Sequence, residues 1–133
     1  MTVSQSVIAW LKKFEEKSVN TDIQPAKVNS YSLVKEPIIN KKTFISGRVR
    51  VTEHYTFMAH LDSQMDSTRV ENNAWGEDLE EWVRDMCKKK ELPVIAGVTV
   101  QSVEVTTPFY LGKSIDANES IYQLTLSITY EKE

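Results

Sequence analysis

The stretch GRVRVTEHYTFMAHLD, residues 47–62, decides the fold, because its residues change character with a period of two. Val49, Val51, Tyr55 and Phe57 hold odd positions. Arg48, Arg50, Thr52, His54, Thr56 and His60 hold even ones. Successive side chains on a strand point to opposite faces. The segment therefore reads as a strand with one apolar face and one face of cations, hydroxyls and imidazoles. Counted from Phe44 to Leu61, it would extend on the order of 60 Å, against a usual ~17–20 Å. Such a strand either bends over the core or projects beyond it, and Gly47 is the candidate bend or bulge.

The same alternation returns at 121–131, IYQLTLSITYE. Tyr122, Leu124, Leu126, Ile128 and Tyr130 form one face; Gln123, Thr125, Ser127 and Thr129 form the other. In GVTVQSVEV, 97–105, Val98 and Val100 share one parity while Val103 and Val105 share the other. That slip predicts a bulge near Gln101 and Ser102. SYSLVKEP, 30–37, is a shorter strand closed by Pro37, which cannot donate to a ladder. NKK, 40–42, is read as the turn into the long strand, and TPFYLGKSIDANES, 107–120, as a loop, on the strength of Pro108, Gly112 and the Asp-Ala-Asn run.

Two stretches carry the helical period instead. Val3, Val7, Ile8, Leu11 and Phe14 fall on one face and predict a helix over 3–17, followed by an irregular connection over 18–29. Trp75, Leu79, Trp82, Val83 and Met86 mark the buried stripe of a second helix. Thr68 and Glu71 have the spacing of a capping box at its start. Glu77, Asp78, Glu80, Glu81 and Asp85 are placed on its outside. Lys88, Lys89 and Lys90 sit against the negative end of its dipole, and Pro93 stops it. The order is helix, two strands, helix, two strands. Two amphipathic helices can cover one face of a four-stranded, mainly antiparallel sheet, so the predicted fold is an α+β two-layer sandwich formed by a single domain over 1–133.

Composition agrees with one globular domain: 133 residues, 41% hydrophobic and 26% charged. A net charge of -3 gives no general basic footprint for nucleic acid. The single Cys87 excludes an internal disulfide and a cysteine-based metal cluster, and in a helix it reads as a half-buried structural thiol. The N-terminus lacks a basic region followed by an apolar core, and no apolar run approaches the ~20 residues needed to span a bilayer. The expectation is a soluble intracellular protein without membrane contact.

A search for bond chemistry returns little. His54 and His60 share a strand face but lie ~20 Å apart along an extended strand, too far to share a metal ion. No serine sits in GxSxG, and glycines at 47, 76, 97 and 112 cannot build a phosphate loop. The helix phase makes Glu77, Asp78, Glu80 and Glu81 a solvated face and Trp75 and Trp82 core residues. Lys41, Lys42, Arg48 and Arg50 are the basic cluster outside the helix end, without interleaved aromatics on their face. No catalytic, cofactor or metal residues are assigned. What remains is the polar face of the last strand, Gln123, Thr125, Ser127 and Thr129, which carries no charge. Such a face suits contact with another protein, where charged residues are depleted. The plain preference of Thr for strands accounts for it equally well.

Three segments also resemble a known family. These are the TE-x-Y-x-F strand at 52–57, the R-x-E-N-x-x-W helix opening (Arg69, Glu71, Asn72, Trp75), and the closing IYQ-x-x-x-x-ITY-x-K strand at 121–132. Together with the first helix they are similar, over nearly the whole chain, to the minor capsid or tail terminator proteins of long-tailed phages and prophages of Gram-positive bacteria. The resemblance implies a virion structural protein, assembled in the bacterial cytoplasm, with no enzymatic activity. It implies a homo-oligomeric ring, typically of six copies, on the head-proximal end of the tail tube. The implied partners are the tail tube protein and a head connector protein. Genomic DNA would pass through the lumen without specific binding. Arg48, Arg50, His54, Gln123, Thr125 and Ser127 then become candidate subunit-contact residues, the long strands offering one contact surface and the helix exteriors another. The alternatives are another neck or head-completion protein and, from a different class, a small monomeric binding module.

Overall fold

A computed structural model of the chain describes residues 2–14, 19–21, 30–116 and 118–132. Two helices pack on one face of a five-stranded sheet. The elements are α1 (Val3–Leu11), β1 (Val19–Thr21), β2 (Ser30–Thr43), β3 (Val49–Asp62), α2 (Asp66–Lys88), β4 (Thr99–Ser114) and β5 (Glu119–Lys132). The sheet order is β1-β2-β3-β5-β4. Its four long strands are antiparallel, and β1 adds a short parallel edge against Tyr31–Leu33 of β2. The fold is the α+β sandwich that alternation and helical period predict. The fifth strand lies in the stretch read as irregular, where three residues are too few to carry a period.

β3 sits at the centre and fixes which face is inside. Val51 and Tyr55 are almost fully buried, as are Leu124, Leu126 and Ile128 on β5. Register pairs Tyr55 with Leu126, Phe57 with Leu124 and Val51 with Tyr130, so both apolar faces point the same way. Val7, Trp10 and Leu11 of α1 and Leu79, Val83 and Met86 of α2 close over them. Trp75 and Trp82 are half-buried at the seam between helices. Trp82 packs on Trp10 at 4.8 Å between ring centroids, and Trp75 on Tyr31, Phe57 and Phe109.

Several boundaries differ from the sequence reading, each for an identifiable reason. Pro37 does not end β2. A register shift between Lys35 and Ile39 accommodates it on the edge of the sheet, and the strand runs on through Asn40, Lys41 and Lys42. The turn falls at 44–48 instead, where Gly47 supplies a φ of 91° and its N–H donates to the Phe44 carbonyl. β3 therefore begins at Val49 rather than Phe44. Its 14 residues span roughly 45 Å at ~3.3 Å each. The segment read as a loop, 107–120, is strand to Ser114, with a turn only around Asp116, whose carboxylate accepts from the Asn118 and Glu119 amides. β4 has four register irregularities, of which that between Thr107 and Tyr110 takes up Pro108 and that between Leu111 and Lys113 takes up Gly112, tolerable because it is an edge strand. One of these, between Val100 and Ser102, is the bulge that the parity slip predicts.

The helices also start and stop elsewhere. α1 ends at Leu11 and continues as a turn to Phe14; residues 15–17 of the predicted helix lie outside the described residues. Its start holds a capping box, Thr2 with Gln5. The Thr68–Glu71 spacing is not a cap: α2 begins three residues earlier, with Met65 as N-cap and no side-chain cap bond. Arg69 and Asn72 do that positioning work. Arg69 donates to the Ser63 carbonyl at 2.7 Å and Asn72 to the Asp62 carbonyl at 2.8 Å, tying the helix to the end of β3. The Arg-x-Glu-Asn-x-x-Trp motif is thus a strand-to-helix corner. α2 closes with Lys90 at φ 58° and the Glu91 amide bonded to the Met86 carbonyl, a Schellman-type stop just ahead of Pro93. The Trp10 indole donates to the Glu91 carbonyl at 2.7 Å and pins α1 to this end.

Candidate functional site

Both helices lie on the odd-numbered face of β3, which leaves the even-numbered face without a covering element among the described residues. All six candidate contact residues stand on that open wall or at its end. His54 is directly opposite Ser127, Thr56 opposite Thr125 and Met58 opposite Gln123. The rows are joined by short polar links. Thr52 and Thr129 hydroxyls lie 3.1 Å apart, Thr56 donates to the Glu36 carboxylate at 2.9 Å, and Asn40 Nδ2 sits 3.5 Å from His54 Nε2. The Gln123 amide donates to the Tyr110 hydroxyl, extending the wall onto β4. The middle of the wall, from Thr52 to Met58 on β3 and Gln123 to Thr129 on β5, carries hydroxyls, an amide and one imidazole. Within these two rows formal charge gathers at the ends, and the Glu36 and Glu104 carboxylates stand beside the middle on β2 and β4.

At one end Arg48 and Arg50 approach the buried Glu131 carboxylate, each at 3.7 Å. Arg50 and Glu131 are register partners, so strand pairing itself creates this juxtaposition. At the other end His60 is buried, its Nε2 3.0 Å from Glu119, while the Ser63–Ser120 hydroxyl pair at 2.7 Å sits on the opposite parity beside Leu61. The structure separates the two histidines into different settings, an open row and a buried corner. Among the described residues, no group of three or more His, Cys, Asp or Glu stands close enough to hold a metal ion.

One acidic residue is misplaced by the sequence reading, and a second is buried on the apolar side where its parity puts it. Glu80, assigned to the solvated side of α2, is buried: its carboxylate accepts from the Phe109 amide. The register shift of β4 between Thr107 and Tyr110 takes that amide out of the regular ladder, and α2 supplies the acceptor. Glu53 lies among the apolar odd positions of β3 and is buried there, its carboxylate 2.8 Å from Lys35 Nζ. Tyr130, opposite Val51, also donates to Glu53. Burial first, and then the neighbouring Glu53 charge, push the Tyr130 hydroxyl up to about 12. The odd parity of Glu53 is the one sequence signal for this buried cluster. Cys87 is half-buried with Sγ 2.9 Å from the Val103 carbonyl, and burial raises its thiol above the ordinary range.

A cleft of about 490 Å³ opens between the end of α2 and the start of β4, lined by Cys87, Leu92, Pro93, Val94, Ile95 and Val98 among others. None of the six candidate residues reaches it. No protein-family model matches the chain, and no curated protein matches it either. The site is therefore defined by its own geometry. It is a wall two strands wide, neutral at the centre, whose hydroxyl groups already satisfy one another in part. Within the β3 and β5 rows, covering the wall with protein strips water from dipoles, the less costly desolvation, while the Glu36 and Glu104 carboxylates flank those rows on β2 and β4.

Proposed function

We propose that the chain is a phage structural protein, a tail terminator that caps the tail tube and joins it to the head. The observation that carries this reading is the uncovered, charge-poor sheet face of β3 and β5 on a fold whose helices are all on the other side. The family resemblance of the Arg69–Trp75 corner and of the two long strands supplies the biological setting. Several copies arranged as a ring would present repeated weak contacts that add through multivalency, so no single contact need be strong. The ring would bind the growing end of the tube on one side and a head connector on the other. A tube end offers each new ring of tube protein the same stacking surface. Only a cap that binds this end and exposes a different outer surface stops growth. In this role the protein performs no bond chemistry, and DNA passes through the lumen without specific contacts.

The test is electron microscopy of particles assembled without this protein. Filled heads and unjoined tubes of uncontrolled length are the expected result. Unjoined tubes of normal length would point to another neck component, and normally joined particles would sink the reading altogether.

A further inference from the structure

Charged surfaces of opposite sign occupy opposite sides of the molecule. At the tip of the β2–β3 hairpin, on the open sheet face, Lys42, Arg48 and Arg50 surround the Phe44 ring, 5.5, 5.5 and 5.2 Å from its centroid. Glu131 is the only carboxylate paired with this trio among the described residues, so three cations face one anion. The guanidinium side chains remain about half exposed, and Ile45 beside them is fully exposed. On the far side, α2 turns Glu71, Glu77, Asp78, Glu81 and Asp85 to the exterior. Arg84 borders them and reaches toward Glu80 at 3.9 Å, and Lys88 stands at the C-terminal end of the same face.

The two patches face away from each other across the sandwich, so one chain cannot bring them together. We propose that the basic hairpin tip of one copy docks on the acidic outer face of α2 in a second copy. This rests on the reading of the chain as a ring-forming subunit and names the surfaces that meet. Charge complementarity selects the occupant: a surplus of cations around an aromatic ring, beside an exposed isoleucine, matches a helix face with five carboxylates. Strand-to-strand pairing is the less suitable mode. β4 is interrupted by four register shifts, and β2 carries Pro37 and a shift of its own on its outer half. Because the two surfaces differ, the contact is heterologous. Each docked copy leaves one tip and one helix face free, so the assembly continues until it closes as a ring.

The contact is read by sedimentation velocity of the whole protein at low salt, up to roughly 1 mM, where even a millimolar Kd populates complexes. Wild type should associate with rising concentration, and salt near 1 M should suppress this, since screening then acts within about 3 Å. Arg48→Glu with Arg50→Glu, and separately Glu77→Lys with Glu81→Lys, should each weaken association by at least roughly tenfold. Lys42→Glu is the companion variant, because it leaves the Glu131 pairs intact; circular dichroism checks that each variant folds. Mixing the arginine-reversed and glutamate-reversed proteins should restore association as one-to-one pairs, since the unaltered basic tip of the glutamate-reversed protein then meets the unaltered acidic helix face of the arginine-reversed one. Wild type that stays monomeric throughout, reversals that associate like wild type, or a mixture that fails to recover would each overturn the contact. So would a tip that binds a single-stranded oligonucleotide, lost in Lys42→Glu, while the protein remains monomeric. Particles lacking the protein report on the terminator reading separately, so the contact can fail while that reading stands.

Discussion

Gly76→Ala should destabilise the protein, although in most helices the same change is stabilising. Gly76 lies inside α2 and is buried. A Cβ built on it would stand 2.0 Å from Phe109 Cδ2, 2.3 Å from Cγ and 2.8 Å from Cβ. Phe109 has little room to retreat. Its ring is stacked on Tyr122 at 5.3 Å and edge-on to Trp75 at 5.7 Å, and its amide is held by Glu80. Helix propensity favours Ala over Gly by about 0.8–1 kcal/mol. Forcing a methyl into a packed core costs about 1–3 kcal/mol, and distances this short belong at the upper end. The difference is a net loss of roughly 1–2 kcal/mol, or a fall in Tm of a few degrees for a domain of about this size. Urea unfolding followed by tryptophan fluorescence measures it directly, with Trp75 as a local reporter. Adding Phe109→Ala should make the Gly76→Ala change neutral or favourable, because the obstacle is then gone. A Gly76→Ala protein as stable as wild type, or more so, would refute the close approach of α2 and β4.

Trp82→Ala should cost about 3 kcal/mol, since its ring packs at a tilt against Trp10 and Phe14 at the helix seam, while His54→Ala on the open face should stay within about 0.5 kcal/mol; chemical denaturation distinguishes the two. Tyr130 provides a pH signature. Its hydroxyl is raised from 10 to about 12 in the folded state, so the folded state holds its proton longer than the unfolded chain does. The associated stability is fully present below pH 10 and is lost as pH rises toward about 12. Tyr130→Phe should flatten the decline in that window relative to wild type; equal slopes in the two proteins would show that Tyr130 is not held by burial and Glu53.

The candidate face was legible because strand parity is a local property. Once 47–62 and 121–131 are read as strands, Arg48, Arg50, His54, Gln123, Thr125 and Ser127 must fall on the side opposite Tyr55 and Leu126. The Gln101 bulge was legible for the same reason: an extra residue inverts the pattern on either side of it. Reading failed where long-range contacts override local signals. Pro37, Pro108 and Gly112 look like strand breakers in isolation, yet at sheet edges a proline costs no interior hydrogen bond. Gly112 lies across from Gln123, whose side-chain carbon would be 2.9 Å from a Cβ at that position.

By itself, then, the order of apolar and polar residues determined the two helices, the four long strands without their full extents, the one-sided sheet and the residues on its open face, since each follows from a period of 2 or 3.6 within a few residues. The tertiary structure alone decided the strand order and the pairing of Arg50 with Glu131, because β5 inserts between β3 and β4 and brings together residues remote in sequence. It also decided the fate of Glu53 and Glu80. A carboxylate can be buried only where a distant donor meets it, and Lys35, Tyr130 and the Phe109 amide arrive there through the fold. The opposition of a basic hairpin tip and an acidic helix face belongs to the same level, for it exists only once helices and strands are stacked on opposite sides of one sheet.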